Sequence, residues 1–261
     1  MECLICGSNS SFFASKKILR RYKVKYFKCD NCGLIQTEKP YWLKEAYSFP
    51  IIDSDTGVIS RNIKLSKIAA LINLLFIGKK SKVLDYGGGY GLMTRMLRDI
   101  GVDAYWTDKY AENIFARGFE DKKGRKYSMV TAFELFEHFE DPHKEIKNLV
   151  KKYKPEILLF STMLHNGNPP QDWWYFVPDG GQHIVLYTKK SLDIFANNLG
   201  LKFSTNGWNI HIFSKKRIPN VFMVVISLLS PLFSFFLPIF YKSKVVEDNL
   251  KIASSRIQNK K

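Results

Sequence analysis

Apolar side chains recur at helical spacing across residues 57–77, at Ile63, Ile68, Ile72, Leu75 and Phe76, and the stripe stops at Gly78 before a basic turn. The pattern then shortens. Lys82-Val83-Leu84-Asp85-Tyr86 reads as a strand that runs into Gly87-Gly88-Gly89-Tyr90-Gly91, after which Leu92, Met96, Leu97 and Ile100 share a helical face up to Gly101. Further strands are predicted over 102–107, 128–132 and 157–161, with a helix over 142–153 opened by Pro142. A helix over 191–198 turns Leu192, Phe195 and Ala196 inward and ends at Gly200; strand-like runs 201–205 and 208–214 close the series. This alternation predicts an α/β fold.

Outside the alternation, all four cysteines fall within the first 32 residues, as Cys3-x-x-Cys6-Gly7 and Cys29-x-x-Cys32-Gly33. Each pair sits on a tight turn that aims both thiolates at one ion, and the following glycine lets backbone N–H groups approach the sulfurs. The residues between the pairs, including Val24, Tyr26 and Phe27, predict a hairpin joining two knuckles. Cys3, Cys6, Cys29 and Cys32 are therefore expected to hold a structural zinc ion. Four protein ligands close the coordination shell, so the metal contributes folding energy rather than catalysis.

In the strand–turn–helix unit, the glycines permit positive φ and bring backbone against a ligand at the amino end of the helix. The next strand ends at Asp108, in register to accept hydrogen bonds from both hydroxyls of a ribose. A nucleoside cofactor is the expectation, and a dinucleotide dehydrogenase shares this geometry. The segment Val83-Leu84-Asp85-Tyr86-Gly87-Gly88-Gly89-Tyr90-Gly91 resembles motif I of class I S-adenosylmethionine-dependent methyltransferases. Asp108 matches their ribose-binding acid, and residues 133–142, with Glu137-His138-Phe139-Glu140-Asp141-Pro142, resemble their segment after the fourth strand. Over roughly residues 60–215 the resemblance implies a Rossmann-like methyltransferase sheet closed by a hairpin. It further implies that Asp85, Gly87, Gly89 and Gly91 hold the methionine part and Asp108 the ribose. The adenine would lie near Phe119, and Glu134 would line the methyl-transfer cavity.

Residues 165–175, with Asn168-Pro169-Pro170 and Trp173-Trp174-Tyr175, read as a loop over the carboxyl edge of the sheet, where substrates bind. Its aromatics suit stacking on a sugar face or a base, or a lid packed on the core. Downstream, Gly180-Gly181-Gln182-His183 places an imidazole after two glycines and before a helix. Methyl transfer to a hydroxyl needs a group that removes its proton, and His183 is the candidate base, with His138, Glu134 and Glu137 as alternatives. The Asp-Trp-Trp-Tyr and Gly-Gln-His-Ile segments, with the paired cysteines, are similar to a bacterial methyltransferase subgroup associated with surface-glycan and sugar pathways. That resemblance implies a sugar, nucleotide-sugar or lipid-linked glycan acceptor, with O-methylation ahead of C-methylation.

The chain has 261 residues, 46% of them hydrophobic, which excludes wholesale disorder; 40 Lys+Arg against 24 Asp+Glu leave +16, favouring anionic partners. Cysteine usage and an amino terminus without a signal pattern predict a cytoplasmic protein. From Ile218 to Tyr241 no charged residue occurs, with Lys215-Lys216-Arg217 before the stretch and Lys242 and Lys244 after it. Pro231 and Pro238 interrupt this run, so an interfacial or re-entrant contact with the inner membrane face is expected ahead of a simple span. Residues 251–261 read as a solvated helix or frayed tail. Three regions result: a zinc-ribbon-like element over 1–40, the α/β domain over 41–215 and the apolar segment over 216–261. An RNA methyltransferase is the alternative reading, which a zinc element and a basic surface also suit, although no nucleic-acid recognition signature accompanies them. A non-enzymatic cofactor-binding scaffold is the third.

Overall fold

The computed structural model describes residues 1–48 and 54–258. The chain opens with a hairpin, β1 (Ser10–Ile18) and β2 (Tyr22–Cys29), then β3 (Ile35–Thr37) and one helical turn, α1 (Leu43–Ala46). Alternation follows: α2 (Val58–Phe76), β4 (Lys82–Tyr86), α3 (Leu92–Ile100), β5 (Asp103–Thr107), β6 (Met129–Phe133), α4 (Pro142–Tyr153) and β7 (Ile157–Ser161). Next come β8 (Val185–Leu186), α5 (Lys189–Asn198), β9 (Lys202–Thr205) and β10 (Ile210–Ser214), before α6 (Asn220–Phe233), α7 (Leu237–Phe240) and α8 (Val245–Gln258). Strands order as β1-β2-β3-β8 in the smaller sheet and β5-β4-β6-β7-β10-β9 in the larger, a mixed α/β fold. The described residues form two compact units: 1–48 with Ala132–Val224, and Ser54–Thr131 with 225–258.

In the second unit β4 runs parallel to both β5 and β6, setting Asp85 opposite Trp106 on one side and Thr131 on the other. The helical stripe differs from the periodic reading. Ile68 and Ile72 of the stripe are buried, but Ile63 and Leu75 are exposed, and α2 buries Leu65, Ala69 and Leu71 beside them. On α3 the buried face is Met93, Thr94, Leu97 and Arg98, because its two polar members find partners inside. Thr94 bonds Asp85, and the Arg98 guanidinium meets Asp248 at 2.6 and 2.7 Å, Asp103 at 3.1 Å and the Ala104 carbonyl at 2.9 Å. Asp248 lies in the first turn of α8 and anchors its start, while Lys251, Ala253 and Ser254 beyond it are exposed, in keeping with a solvated helix from residue 251. Residues 259–261 lie outside the described residues. Asp248→Ala leaves Arg98 buried with half its charge partners; urea unfolding is expected to show a loss of about 3 kcal/mol.

In the first unit the cysteine element is not a detached lobe. Its strand β3 pairs antiparallel with β8, Ile35 opposite Leu186 and Gln36 opposite Val185. Helices α4 and α5 also hold the first knuckle: His143 Nε2 lies 3.0 Å from the Ile5 carbonyl and Asn198 Nδ2 donates to it at 3.2 Å. Thr188, which caps α5, donates its hydroxyl to the Cys32 carbonyl at 2.6 Å. The start of α4 follows its sequence signals, with Pro142 in the first turn and Asp141 accepting from the Lys144 N–H. β7, β10 and β9 pair antiparallel, completing the hairpin end of the larger sheet.

Candidate active site

Within the second unit, β4 ends in a turn that only glycines can make. A Cβ on Gly88 would stand 2.6 Å from Asp85 Oδ2 and 2.8 Å from Trp106 Cδ1; on Gly91, at φ +88°, it would stand 2.7 Å from Asn113 Oδ1. The turn is propped from β5: the Gly87 N–H donates to the Thr107 carbonyl at 2.9 Å and Trp106 Nε1 to the Gly89 carbonyl at 2.9 Å. Beneath it, Asp85 is buried and accepts from Thr94 at 3.1 Å and Thr131 at 3.0 Å. Loss of hydration raises its pKa to about 6, and the two hydroxyls offset part of that rise.

Asp108 closes the other side. Its Oδ2 accepts from the Gly89 N–H at 2.9 Å, and its Oδ1 from the N–H groups of Tyr110 and Ala111 at 2.7 and 2.8 Å. The first N–H groups of α3 lack intrahelical partners and carry the positive end of the helix. Phe119 departs from its expected role: its ring is 1% exposed and lies under the Arg98 guanidinium, 3.6 Å from the ring centroid, so it offers no face to a base. Exposed apolar surface in this stretch comes from Tyr110, Ile114 and Phe115, and the last two donate backbone N–H bonds to the Tyr90 carbonyl.

Within the first unit a second cluster forms after β6. Glu134 adopts φ +49°, a left-handed conformation for a residue with a side chain, and is held there by Ser161. Ser161 accepts from the Glu134 N–H at 2.8 Å and donates to Glu134 Oε1. One turn on, Glu137 is fully buried and accepts from the Tyr175 hydroxyl. Loss of hydration, then the Glu134 charge, raises its pKa to about 8. Burial, followed by the neighbouring His183, pushes His138 well below its ordinary value. Glu137 Oε2 and His138 Nε2 are buried without a hydrogen-bond partner.

His183 completes this cluster. Its Nδ1 lies 2.7 Å from the Tyr175 carbonyl, an acceptor, so Nδ1 carries the hydrogen and Nε2 the lone pair. Its ring centroid is 5.2 Å from that of His138 and 4.5 Å from that of Tyr175. A short strand, β8, rather than a helix follows it. That strand fixes the loop: the Ile184 N–H donates to the Glu137 carbonyl at 2.9 Å, while its carbonyl accepts from the Thr37 N–H at 2.9 Å. Gly181 is packed on Ile18, and its carbonyl accepts from the Trp42 indole at 2.8 Å. Of the aromatic run, only Trp174 is largely exposed; Tyr175 is a buried hydrogen-bonding member of the cluster, which a reading of the run as a stacking surface misses.

Among the described residues, two groups have metal-ligand character. The thiols of Cys3, Cys6, Cys29 and Cys32 lie within 4.8 Å of one another, with Cys3–Cys32 at 3.6 Å and Cys6–Cys29 at 3.4 Å. Sulfurs on a tetrahedral zinc with bonds of about 2.3 Å stand about 3.8 Å apart, and a disulfide about 2.05 Å, so these distances suit the ion. Backbone N–H groups of Ile5 and Cys32 point at Cys3 and Cys29 sulfurs. Glu137, His138 and His183 also bring ligand atoms within 4.8 Å of one another. A groove of about 550 Å³ beside the cysteines is lined by Lys28, Asn31, His165, Thr188 and Lys190 and by no member of the Glu137 cluster.

A family model described as a methyltransferase domain matches residues 61–205. No curated protein matches the sequence. Among solved structures the chain is similar to the mitomycin 7-O-methyltransferase MmcR, at 12% identity over 60% of this chain and 55% of that one, TM-score 0.44. It is also similar to an O-methyltransferase family protein from Burkholderia thailandensis, at 16% identity over 67% of each chain, TM-score 0.45. The plantazolicin methyltransferase BpumL in complex with SAH matches at 14% identity over 75% of this chain and 82% of that one, TM-score 0.45. The chain thus spans little more than half the length of the mitomycin enzyme.

Proposed function

The chain belongs to the methyltransferase-domain family, and from that premise we propose that it transfers a methyl group from S-adenosylmethionine to an acceptor hydroxyl. The observation that carries this reading is the turn at Gly87–Gly91, closed to side chains at Gly88 and Gly91 and faced by the Asp108 carboxylate one strand over. These residues fit the cofactor: the positive amino end of α3 suits its carboxylate, Asp108 its ribose, and Tyr110, Ile114 and Phe115 the flat adenine. When bound, its sulfonium supplies an electrophilic methyl carbon. His183 takes the proton of the attacking hydroxyl on Nε2, and the Tyr175 carbonyl keeps Nδ1–H aimed so that the imidazolium is stabilised as it forms.

The acceptor in this reading is a sugar, a nucleotide sugar or a lipid-linked glycan. It is supported by the resemblance of the aromatic and Gly-Gln-His segments, and by Trp174 and Trp208, each 65% exposed and of a size to stack on a sugar face. The four cysteines hold zinc, whose role is structural.

Calorimetry with S-adenosylmethionine tests the premise. Asp108→Ala removes the carboxylate, and affinity is expected to fall roughly 10- to 100-fold, the worth of hydrogen bonds to a charged group. Tight binding of a nicotinamide dinucleotide in its place would sink the assignment. Labelled-methyl transfer across sugar, nucleotide-sugar and RNA acceptors then separates the glycan reading from the RNA alternative.

A further inference from the structure

Helix α6 and the turns that continue it to Tyr241 have their polarity reversed. Over Asn220–Phe240, Met223, Ile226, Ser227, Ser230 and Leu237 are buried, at offsets of 0, 3, 4, 7 and 14 that fall on one helical face. Both serines of the helix are therefore turned inward. The outward face carries Val221, Phe222, Leu228, Leu232, Phe235 and Ile239, with Phe235 81% and Ile239 73% exposed. A helix facing water does the opposite, and a contiguous apolar face of this kind marks a contact surface.

Cations stand at both ends. Lys215, Lys216 and Arg217 are exposed before the helix, and Lys242 is exposed after it. The segment is also tied down at both ends. The side chain of Asn220 accepts from the Thr205 N–H at 3.0 Å; at the far end buried Tyr241 is bonded by Asn73 Nδ2 at 2.9 Å, and the Lys244 N–H donates to the Arg98 carbonyl at 3.1 Å. Its length suffices to cross a bilayer, but a crossing would put one set of cations on each side, leaving no charge asymmetry to orient a span.

We propose that this outward face lies in the plane of an anionic lipid bilayer, its aliphatic and phenylalanine side chains among the acyl chains and its flanking cations among the headgroups. Charge decides between this occupant and a second copy of the chain. Two copies joined through this face would bring like-charged clusters together on a protein already carrying +16, whereas an anionic bilayer neutralises them. The surface concerns where the protein works and stands apart from the cofactor assignment.

Co-sedimentation of the full chain with vesicles tests it. Phosphatidylcholine vesicles are compared with phosphatidylcholine–phosphatidylglycerol at about 7:3, with and without added salt. Binding to the anionic vesicles that weakens with salt is expected. L228E/L232E/F235E should reduce that partitioning by at least about ten-fold, with S-adenosylmethionine affinity and melting temperature unchanged. Should that variant fold poorly, K215E/K216E/R217E alters only exposed charge and should reduce anionic binding alone. Undiminished binding by either folded variant overturns the proposal. So does a wild-type dimer that the first variant dissociates without any vesicle binding, and so does carbonate-resistant insertion, the mark of a span.

Discussion

Replacing His183 with alanine is expected to slow methyl transfer by roughly 10²–10⁴-fold while S-adenosylmethionine affinity stays at the wild-type value. The expectation rests on the tautomer. With Nδ1–H held by the Tyr175 carbonyl, the lone pair on Nε2 has a fixed direction, and alanine removes that acceptor for the hydroxyl proton. Glu137 acts on this step through the charge it can supply. Its carboxyl is protonated below about 8, so the wild-type rate should rise as pH passes that value and a carboxylate forms to stabilise the imidazolium. Glu137→Gln should abolish the rise without removing the activity seen at lower pH. Stability moves the other way: the folded state keeps a proton that the unfolded chain releases near 4.5, so stability from this group declines between pH 4.5 and 8. The glutamine variant should lose that slope in unfolding measured against pH. A His183→Ala enzyme with full turnover would remove the imidazole from the chemistry.

Why the bond between Glu137 and Tyr175 escapes a reading of the sequence, while β4 and α4 do not, follows from where the partners lie. Lys82–Tyr86 and Pro142–Tyr153 are defined by local signals: a run of apolar residues stopped by glycines, and a proline behind an aspartate cap. Their boundaries match the expectation because nothing distant decides them. The cysteine clustering and the register of Asp108 after β5 are legible for the same reason. Tyr175 bonds a carboxylate 38 positions away, Arg98 finds Asp248 150 positions away, and Phe119 is covered by that same arginine. Periodicity reports which residues can be buried and says nothing of the tertiary neighbour that makes a polar one acceptable inside. Thus Ile63 and Leu75 fit the helical stripe of α2 and are nevertheless exposed, while Asn73 on the same helix is buried by its bonds to Tyr241 and Ser81.

The same distinction sets the consequence of removing the metal. Cys29→Ser is expected to abolish stoichiometric zinc in elemental analysis, since three thiolates leave an open and weaker site. Structural zinc in small peptides is worth about 10–16 kcal/mol of apparent binding energy, comparable to the whole margin of about 5–15 kcal/mol by which domains fold. The damage should not stay within the first 40 residues. β3 pairs with β8, and the Thr37 N–H holds the Ile184 carbonyl, one residue beyond His183. Trp42 holds Gly181, two residues before it, and Thr188 behind β8 donates to Cys32 itself. Loosening the knuckles therefore frees the loop that holds His183, and turnover should collapse together with the metal. Cofactor affinity should survive better, because the Gly87–Gly91 turn, Asp85, Trp106 and Asp108 draw their contacts from β4, β5, β6 and α3. One metal ion per wild-type chain, absent from Cys29→Ser, fits the four thiols alone. A second ion retained in that variant would place metal at Glu137, His138 and His183, whose ligand atoms lie within 4.8 Å of one another. Full zinc and full turnover in Cys29→Ser would refute both the ligand assignment and the coupling.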